Sequence, residues 1–106
     1  MRPITVTVTG IGVSAPIPMD YNTNTFSVGV GCKISATATY TVEHTFDDVY
    51  APGFNPATAT WMPNTGLTAK NAIADGNYAY PVRAVRLNAA ANSGTVTMTV
   101  IQSNPV

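Results

Sequence analysis

Apolar and polar side chains alternate along much of this chain. In Ile4-Thr5-Val6-Thr7-Val8-Thr9 the alternation is strict. That is the period of a strand with one buried face, and it predicts Ile4, Val6 and Val8 inward. The even positions Phe26, Val28, Val30, Cys32, Ile34, Ala36, Ala38, Tyr40, Val42, His44 and Phe46 form a second, longer run. The odd positions between them are mostly Thr, Ser and Gly, with Lys33 and Glu43. Fully extended, these residues would reach roughly 70 Å at ~3.3 Å each, far beyond a domain of this size. The run must fold back or turn a corner. Its parity survives, so a three-residue loop or a bent crossing between sheets is expected rather than a two-residue hairpin. Gly29 and Gly31 supply permissive backbone, which puts the break between Gly29 and Ser35 and two strands at about 25–31 and 36–46.

Residues 10–25, rich in Pro and Asn, read as a loop with a short edge segment at 11–13, and residues 47–56 (DDVYAPGFNP) read as a second long loop. A short strand is expected at 58–61, ended by Pro63-Asn64-Thr65-Gly66. Residues 67–74 fit a weak strand or one helical turn. Asp75-Gly76 is a hairpin turn signal. A strand follows at 78–88, with an edge position or bulge implied by Pro81. Its apolar parity shifts from Tyr80 and Val82 to Val85 and Leu87, which fits a bulge near Arg83-Ala84. Asn92-Ser93-Gly94 turns the chain into Thr95–Val100, with Val96, Met98 and Val100 inward and an antiparallel hairpin expected against 82–89. Residues 103–106 read as a loose tail.

Six to seven short strands with one wet face are stable when two such sheets pack face to face. The expected fold is an all-β antiparallel β-sandwich, immunoglobulin-like or jelly-roll in style, in a single domain over 1–106. A small barrel is the alternative.

Composition agrees. The chain has 106 residues with sixteen Thr, twelve Val and only two Leu, a β-branched bias that disfavours helices. Fourteen Ala imply a thin core, and five basic against five acidic residues give no net charge. Little repulsion between copies then favours self-association. The same balance argues against a nucleic-acid partner, which needs a basic face, and against a polybasic membrane contact. No apolar run approaches the ~20 residues of a membrane span, and the N-terminal residues carry no signal-peptide pattern. Synthesis in the cytoplasm, in soluble form, is the expectation.

Candidate chemistry is sparse. Cys32 is the sole cysteine, so no internal disulfide forms, and it lies on the core parity. His44, the only histidine, could be a base or a metal ligand, but it too falls on the apolar parity and reads first as a semi-buried histidine bonded to backbone or lining an interface. One Cys and one His cannot close a zinc site, no G-x-S-x-G elbow occurs, and no helix or Lys-Ser/Thr follows Gly29-Val30-Gly31 as a phosphate loop would need. Asp47-Asp48 with Glu43 could contribute to a calcium site, yet such pairs more often start turns by bonding their own backbone. The expected protein is non-enzymatic, without cofactor or metal. Tyr21, Tyr50 and Phe54 in the loops could plug the ends of the sandwich, anchor a protein interface or stack on sugar. Trp61 is expected to close the core, and Arg83 or Arg86 could meet Asp47 or Asp48 of a neighbouring subunit. Loop residues on a rigid sandwich are free to touch partners, so Tyr21, Asp47, Asp48, Tyr50 and Phe54 are the candidate partner-binding residues.

The segments TVTVTG (5–10), HTFDDV (44–49), FNPATATW (54–61), DGNYAYPVRAVRLN (75–88) and TVTMTVIQ (95–102) resemble a group of roughly 100-residue bacteriophage virion-associated proteins, over most of the chain. The resemblance implies a small structural component of the particle, in particular a capsid decoration (cement) protein. Such a protein is a homo-oligomer, often a trimer, on the virion's capsid surface and bound to the major capsid protein. The shared segments hold no catalytic signature, so no active-site residue is implied. A phage tail or fibre module that binds host surface glycan through Tyr50 or Phe54 is the alternative, and a cell-wall hydrolase ranks last.

Overall fold

The computed structural model describes residues 3–22 and 26–102. The proposed tail at 103–106 lies outside them, as do residues 23–25 of the first loop. Nine strands run along the described residues: β1 Ile4–Thr9, β2 Gly12–Val13, β3 Ile17–Pro18, β4 Val28–Ile34, β5 Ala38–Thr45, β6 Met62–Pro63, β7 Ala74–Tyr78, β8 Ala84–Asn92 and β9 Thr95–Gln102. A single 3₁₀ turn, η1, spans Thr65–Leu67. The first sheet has the order β1-β9-β4-β7. The second has β2-β8-β5-β6, with β3 also on β8. All pairings are antiparallel. The two sheets pack face to face as an all-β sandwich. Six strands have five residues or more, as the alternation implied, and β2, β3 and β6 are two-residue additions.

The inward parity is the one read from the chain. Val28, Val30 and Cys32 of β4, Ala38, Tyr40 and Val42 of β5, and Val96, Met98 and Val100 of β9 are buried in one contiguous core, with Ile4 and Val6 of β1 partly buried against it. Tyr40, Tyr78, Leu67, Leu87 and Met98 are the largest fully buried side chains. They supply bulk that the many alanines cannot.

The chain changes sheet at six of the eight connections between the described strands, and this accounts for several corrections. The break in the long even-parity run falls at residues 35–37, a three-residue connection that carries the chain from β4 in one sheet to β5 in the other. Gly29 and Gly31 lie inside β4, not at a break. The alternation ends at Thr45, and Phe46 is 48% exposed instead of inward.

The expected strand at 78–88 is two pieces. β7 ends at Tyr78, residues 79–83 cross between the sheets, and β8 starts at Ala84. That crossing, with Pro81 in it, produces the parity shift, and Tyr80 is left exposed. The bulge lies further on, at Ala90, where the pairing slips between Tyr40↔Ala89 and Thr39↔Ala91.

Asp75-Gly76 is not a turn; it sits in mid-strand, paired with Gly31 and Val30. Glycine lets η1 come close there: a Cβ would lie 2.9 Å from Cδ1 of the buried Leu67, which would have to shift. Residues 58–61 are irregular, leaving a turn at 56–58, and the short strand comes after them, at β6. Asn92-Ser93-Gly94 does reverse the chain, but β9 pairs with β1 and β4, not with β8. The expected hairpin is a corner between sheets.

Three corners meet at one end of the sandwich and are bonded together. Ser35 N–H donates to Thr95 O (3.0 Å), Ser93 N–H to Thr37 O (2.9 Å) and Gly10 N–H to Gly94 O (3.1 Å). The Asn92 amide donates to the carbonyls of Val8 and Gly10. The packing is close enough that a Cβ on Gly94 would sit 2.6 Å from Ser35 Oγ and 2.9 Å from Ala36 Cβ. That leaves the opposite end to the long loops.

Candidate functional site

The longest irregular segment, residues 46–61, is ordered by its own polar side chains. Asp48 Oδ1 accepts from Tyr50 N–H (3.0 Å) and Asn55 Oδ1 from Ala57 N–H (2.9 Å), the short-range bonds that turn a chain locally. Asp47 Oδ2 accepts from Thr60 N–H across the base of the loop (2.8 Å), and Asp47's own N–H donates to Thr45 Oγ1 (3.0 Å). The Asp47-Asp48 pair therefore works on its own backbone. Among the described residues no group of three His, Cys, Asp or Glu side chains comes together to hold a metal ion.

The loop is held to the outer face of the second sheet by a clamp that the sequence did not reveal. Arg86 of β8 donates from Nε to Glu43 Oε1 of β5 (2.7 Å), and both side chains are largely covered, 13% and 15% exposed. The cross-strand pairing Glu43↔Arg86 sets them side by side. The guanidinium lies over the Trp61 ring at 4.2 Å from the centroid. The indole N–H donates to Pro56 O (2.9 Å), and Asn88 Nδ2 reaches Glu43 Oε2 at 3.4 Å. Trp61 is thus no core residue; it is the lid of an Arg-Glu pair. The alternating charges Glu43 and Arg86 were visible, but nothing local says which cross-strand partner each meets.

Clamped in this way, the loop presents Val49, Tyr50, Phe54 and Pro56 opposite Pro16 and Pro18 of the first loop, lining an apolar groove of about 340 Å³. Tyr50 is 76% exposed. Tyr50 and Phe54, read from the sequence as loop aromatics, come together here; Pro16, Pro18, Val49 and Pro56 complete the lining and were not singled out. Asp48 pairs with Arg83 (3.5 Å) within the same chain. Arg83 in turn lies over the Tyr21 ring, 5.2 Å from its centroid. Tyr21, Arg83 and Asp48 therefore link the two loops. Both charged groups are substantially solvated, so the ion pair contributes little energy and chiefly sets position. Asp47 faces Thr60 and stands apart from the groove.

The other chemistry-bearing side chains lie inside. His44 is buried, with Nδ1 3.0 Å from the Tyr78 hydroxyl. Phe46, Tyr78 and Tyr80 surround its ring edge-on at 4.9–5.8 Å between centroids. Burial lowers its pKa from the usual imidazole value. The hydrogen-bond partner is a phenol and not the expected backbone group. Cys32 is buried beside Tyr40, whose hydroxyl donates to Ala72 O (2.7 Å). Burial pushes the Cys32 thiol up to about 12, the opposite of an activated nucleophile.

A second depression, of about 390 Å³, lies on the outer face of the first sheet over Gly31, between Lys33, Ile73, Asp75, Thr97 and Thr99. No helix among the described residues is long and apolar enough to cross a membrane. No protein family, curated protein or solved structure was found to match this chain.

Proposed function

We propose that this chain is a non-enzymatic structural component of a bacteriophage particle, a capsid decoration protein that self-associates and seats its loop end on the major capsid protein at the virion surface. The observation that carries the contact is the proline-aromatic groove. Four of its six apolar side chains, including the 76%-exposed Tyr50, stand on a loop that three separate devices hold in place: the Arg86 clamp, the Asp47–Thr60 bond and the Asp48–Arg83–Tyr21 link. A pre-ordered apolar groove with an aromatic at its rim gains affinity because little ordering remains to be done on binding. The resemblance of the segments at 5–10, 44–49, 54–61, 75–88 and 95–102 supplies the particle and the capsid as context. A glycan-binding tail module would need polar groups beside the ring, and the Tyr50 hydroxyl is the one polar side-chain group in the groove lining, so the protein contact ranks first.

Cryo-electron microscopy of intact particles tests the assignment, with density for this chain expected on the head surface and its absence there overturning the reading. Tyr50→Ser combined with Phe54→Ser is expected to abolish capsid binding by the purified protein while leaving its thermal unfolding nearly unchanged. Undiminished binding would move the contact elsewhere on the molecule.

A further inference from the structure

The sandwich has four sheet edges, and they are not treated alike. In the second sheet the edges are β6, two residues ending in Pro63, and the pair β2 and β3, two residues each with Pro16 and Pro18 at or beside the second. In the first sheet, β7 is covered: Asn64 Nδ2 donates to Asn77 O (3.2 Å), and Leu67 of η1 packs onto Gly76. Short strands, proline and a covering segment are the usual ways of blunting an edge.

β1 is less protected. Pro3 stands just before it, but the strand itself is six residues long, holds no charge, proline or bulge, and pairs only with β9 among the described strands. Asn92 caps one carbonyl near its end, that of Val8. Ile4 and Val6 are only partly buried against the core, and Ile11, just past the end of β1, is 75% exposed. Such an edge is a template for another strand.

We infer that β1 pairs antiparallel with β1 of a second copy of this chain, joining the two first sheets into one of eight strands about a two-fold axis. The sequence fits this partner in detail. Antiparallel pairing keeps faces matched only when the two position numbers sum to an even value. Centred on Val6, Ile4 meets Val8 and Thr5 meets Thr7; centred on Thr7, Val6 meets Val8 and Thr5 meets Thr9. Either register lays threonine beside threonine on the outer face and apolar beside apolar on the inner one. The outer face already runs on such contacts: Thr5 Oγ1 lies 3.1 Å from Thr99 Oγ1, and Thr7 Oγ1 3.2 Å from Thr97 Oγ1. The two-fold would continue this hydroxyl ladder across the joint. The chain carries no net charge to oppose it. A stable contact of ~1,200 Å² in total would take about a tenth of each copy's 5783 Å² surface, and Ile4, Val6 and Ile11 are placed to contribute its apolar part. The pairing is isologous and closes at two, in place of the trimer that the resemblance implies. It is independent of the capsid reading, because it concerns the isolated chain.

Sedimentation equilibrium of the purified protein tests it. The expected mass is twice 11.1 kDa, falling to the monomer for Thr5→Lys combined with Thr7→Lys, which sets like charges against each other at the axis on exposed positions. Two results would overturn the inference: a wild-type protein that stays monomeric up to millimolar concentration, or a lysine variant that stays dimeric. Single cysteines provide a second reading. Thr7→Cys alone is expected to form a disulfide-linked dimer in the Thr7-centred register, and a mixture of Thr5→Cys and Thr7→Cys chains in the Val6-centred one. Cross-linking in neither case would rule out β1 as the joint.

Discussion

Replacing Arg86 with methionine keeps most of the side-chain stem and removes the guanidinium, leaving Glu43 at 15% exposure without its cation. Losing one partner of a fully buried ion pair costs about 3–5 kcal/mol. This pair retains some access to water and Asn88 stays within 3.4 Å of the carboxylate, so the electrostatic loss falls below that range, at about 1.5–2 kcal/mol. The guanidinium over Trp61 at 4.2 Å adds about 0.5–1 kcal/mol for a partly desolvated cation–π contact. The expected destabilisation is therefore about 2–3 kcal/mol, or a fall in Tm of roughly 10–15 °C for a domain of this size. Urea unfolding followed by fluorescence measures it directly, because Trp61 is the only tryptophan and sits beneath the perturbation; its emission should also move to the red in the folded variant. Adding Glu43→Gln to Arg86→Met removes the stranded charge and should recover about half of the loss. Arg86→Lys should fall between the two, since an ammonium restores charge without the planar stacking surface. A loss below about 0.5 kcal/mol for Arg86→Met, in the range of solvated surface pairs, would show that the clamp is decorative and that the loop is held by other means.

Three further outcomes are expected. Burial depresses the His44 pKa, so the unfolded chain binds a proton that the native one refuses. Stability is then fully present above the ordinary imidazole value of about 6.5 and is lost as pH falls below it toward the native value. Urea midpoints between pH 5 and 7 should show this slope in the wild type and a flatter one in His44→Phe, and equal slopes would refute it. Cys32, buried beside Tyr40 with its thiol raised to about 12, should resist a disulfide reagent at pH 8 in the native protein and react fully in denaturant; fast native labelling would contradict the packing described. Gly94→Ala forces a Cβ to within 2.6 Å of Ser35 Oγ and should cost about 1–3 kcal/mol by overpacking, measured by the urea midpoint. Ser35→Ala in the same background should return part of that loss, and an unchanged midpoint for Gly94→Ala would mean that the corner is loosely packed.

Much of the candidate surface could be read before the fold was known, in one respect only. Tyr50, Phe54 and Tyr21 stood out as apolar rings in polar, proline-punctuated loops, and two of them do line the groove. What holds them there could not be read. Arg86 finds Glu43 through strand pairing across forty-odd residues, and Trp61 is drawn out of the core by that pair, whereas composition alone assigns a lone tryptophan to the interior.

Residue alternation by itself determined that the chain forms strands, which face of β1, β4, β5 and β9 is buried, and that these faces must close on each other in a sandwich or a barrel, because a pleated strand with one apolar side has to cover that side to leave water. It did not determine partners. Asn92-Ser93-Gly94, with inward parity passing from Leu87 and Ala89 to Val96 and Met98, fits a hairpin and a sheet-to-sheet corner equally well. The choice was made by β1 and β4, which occupy both sides of β9, and by β5 with β2 and β3, which occupy both sides of β8. Asp75-Gly76 likewise has the local preference of a turn, and only the approach of Leu67 from a distant segment shows why glycine stands in mid-strand. Periodicity is a property of neighbours along the chain and survives without the rest of the molecule. Pairing and close approach are agreements between segments far apart in sequence, and they exist only once the whole sandwich has closed.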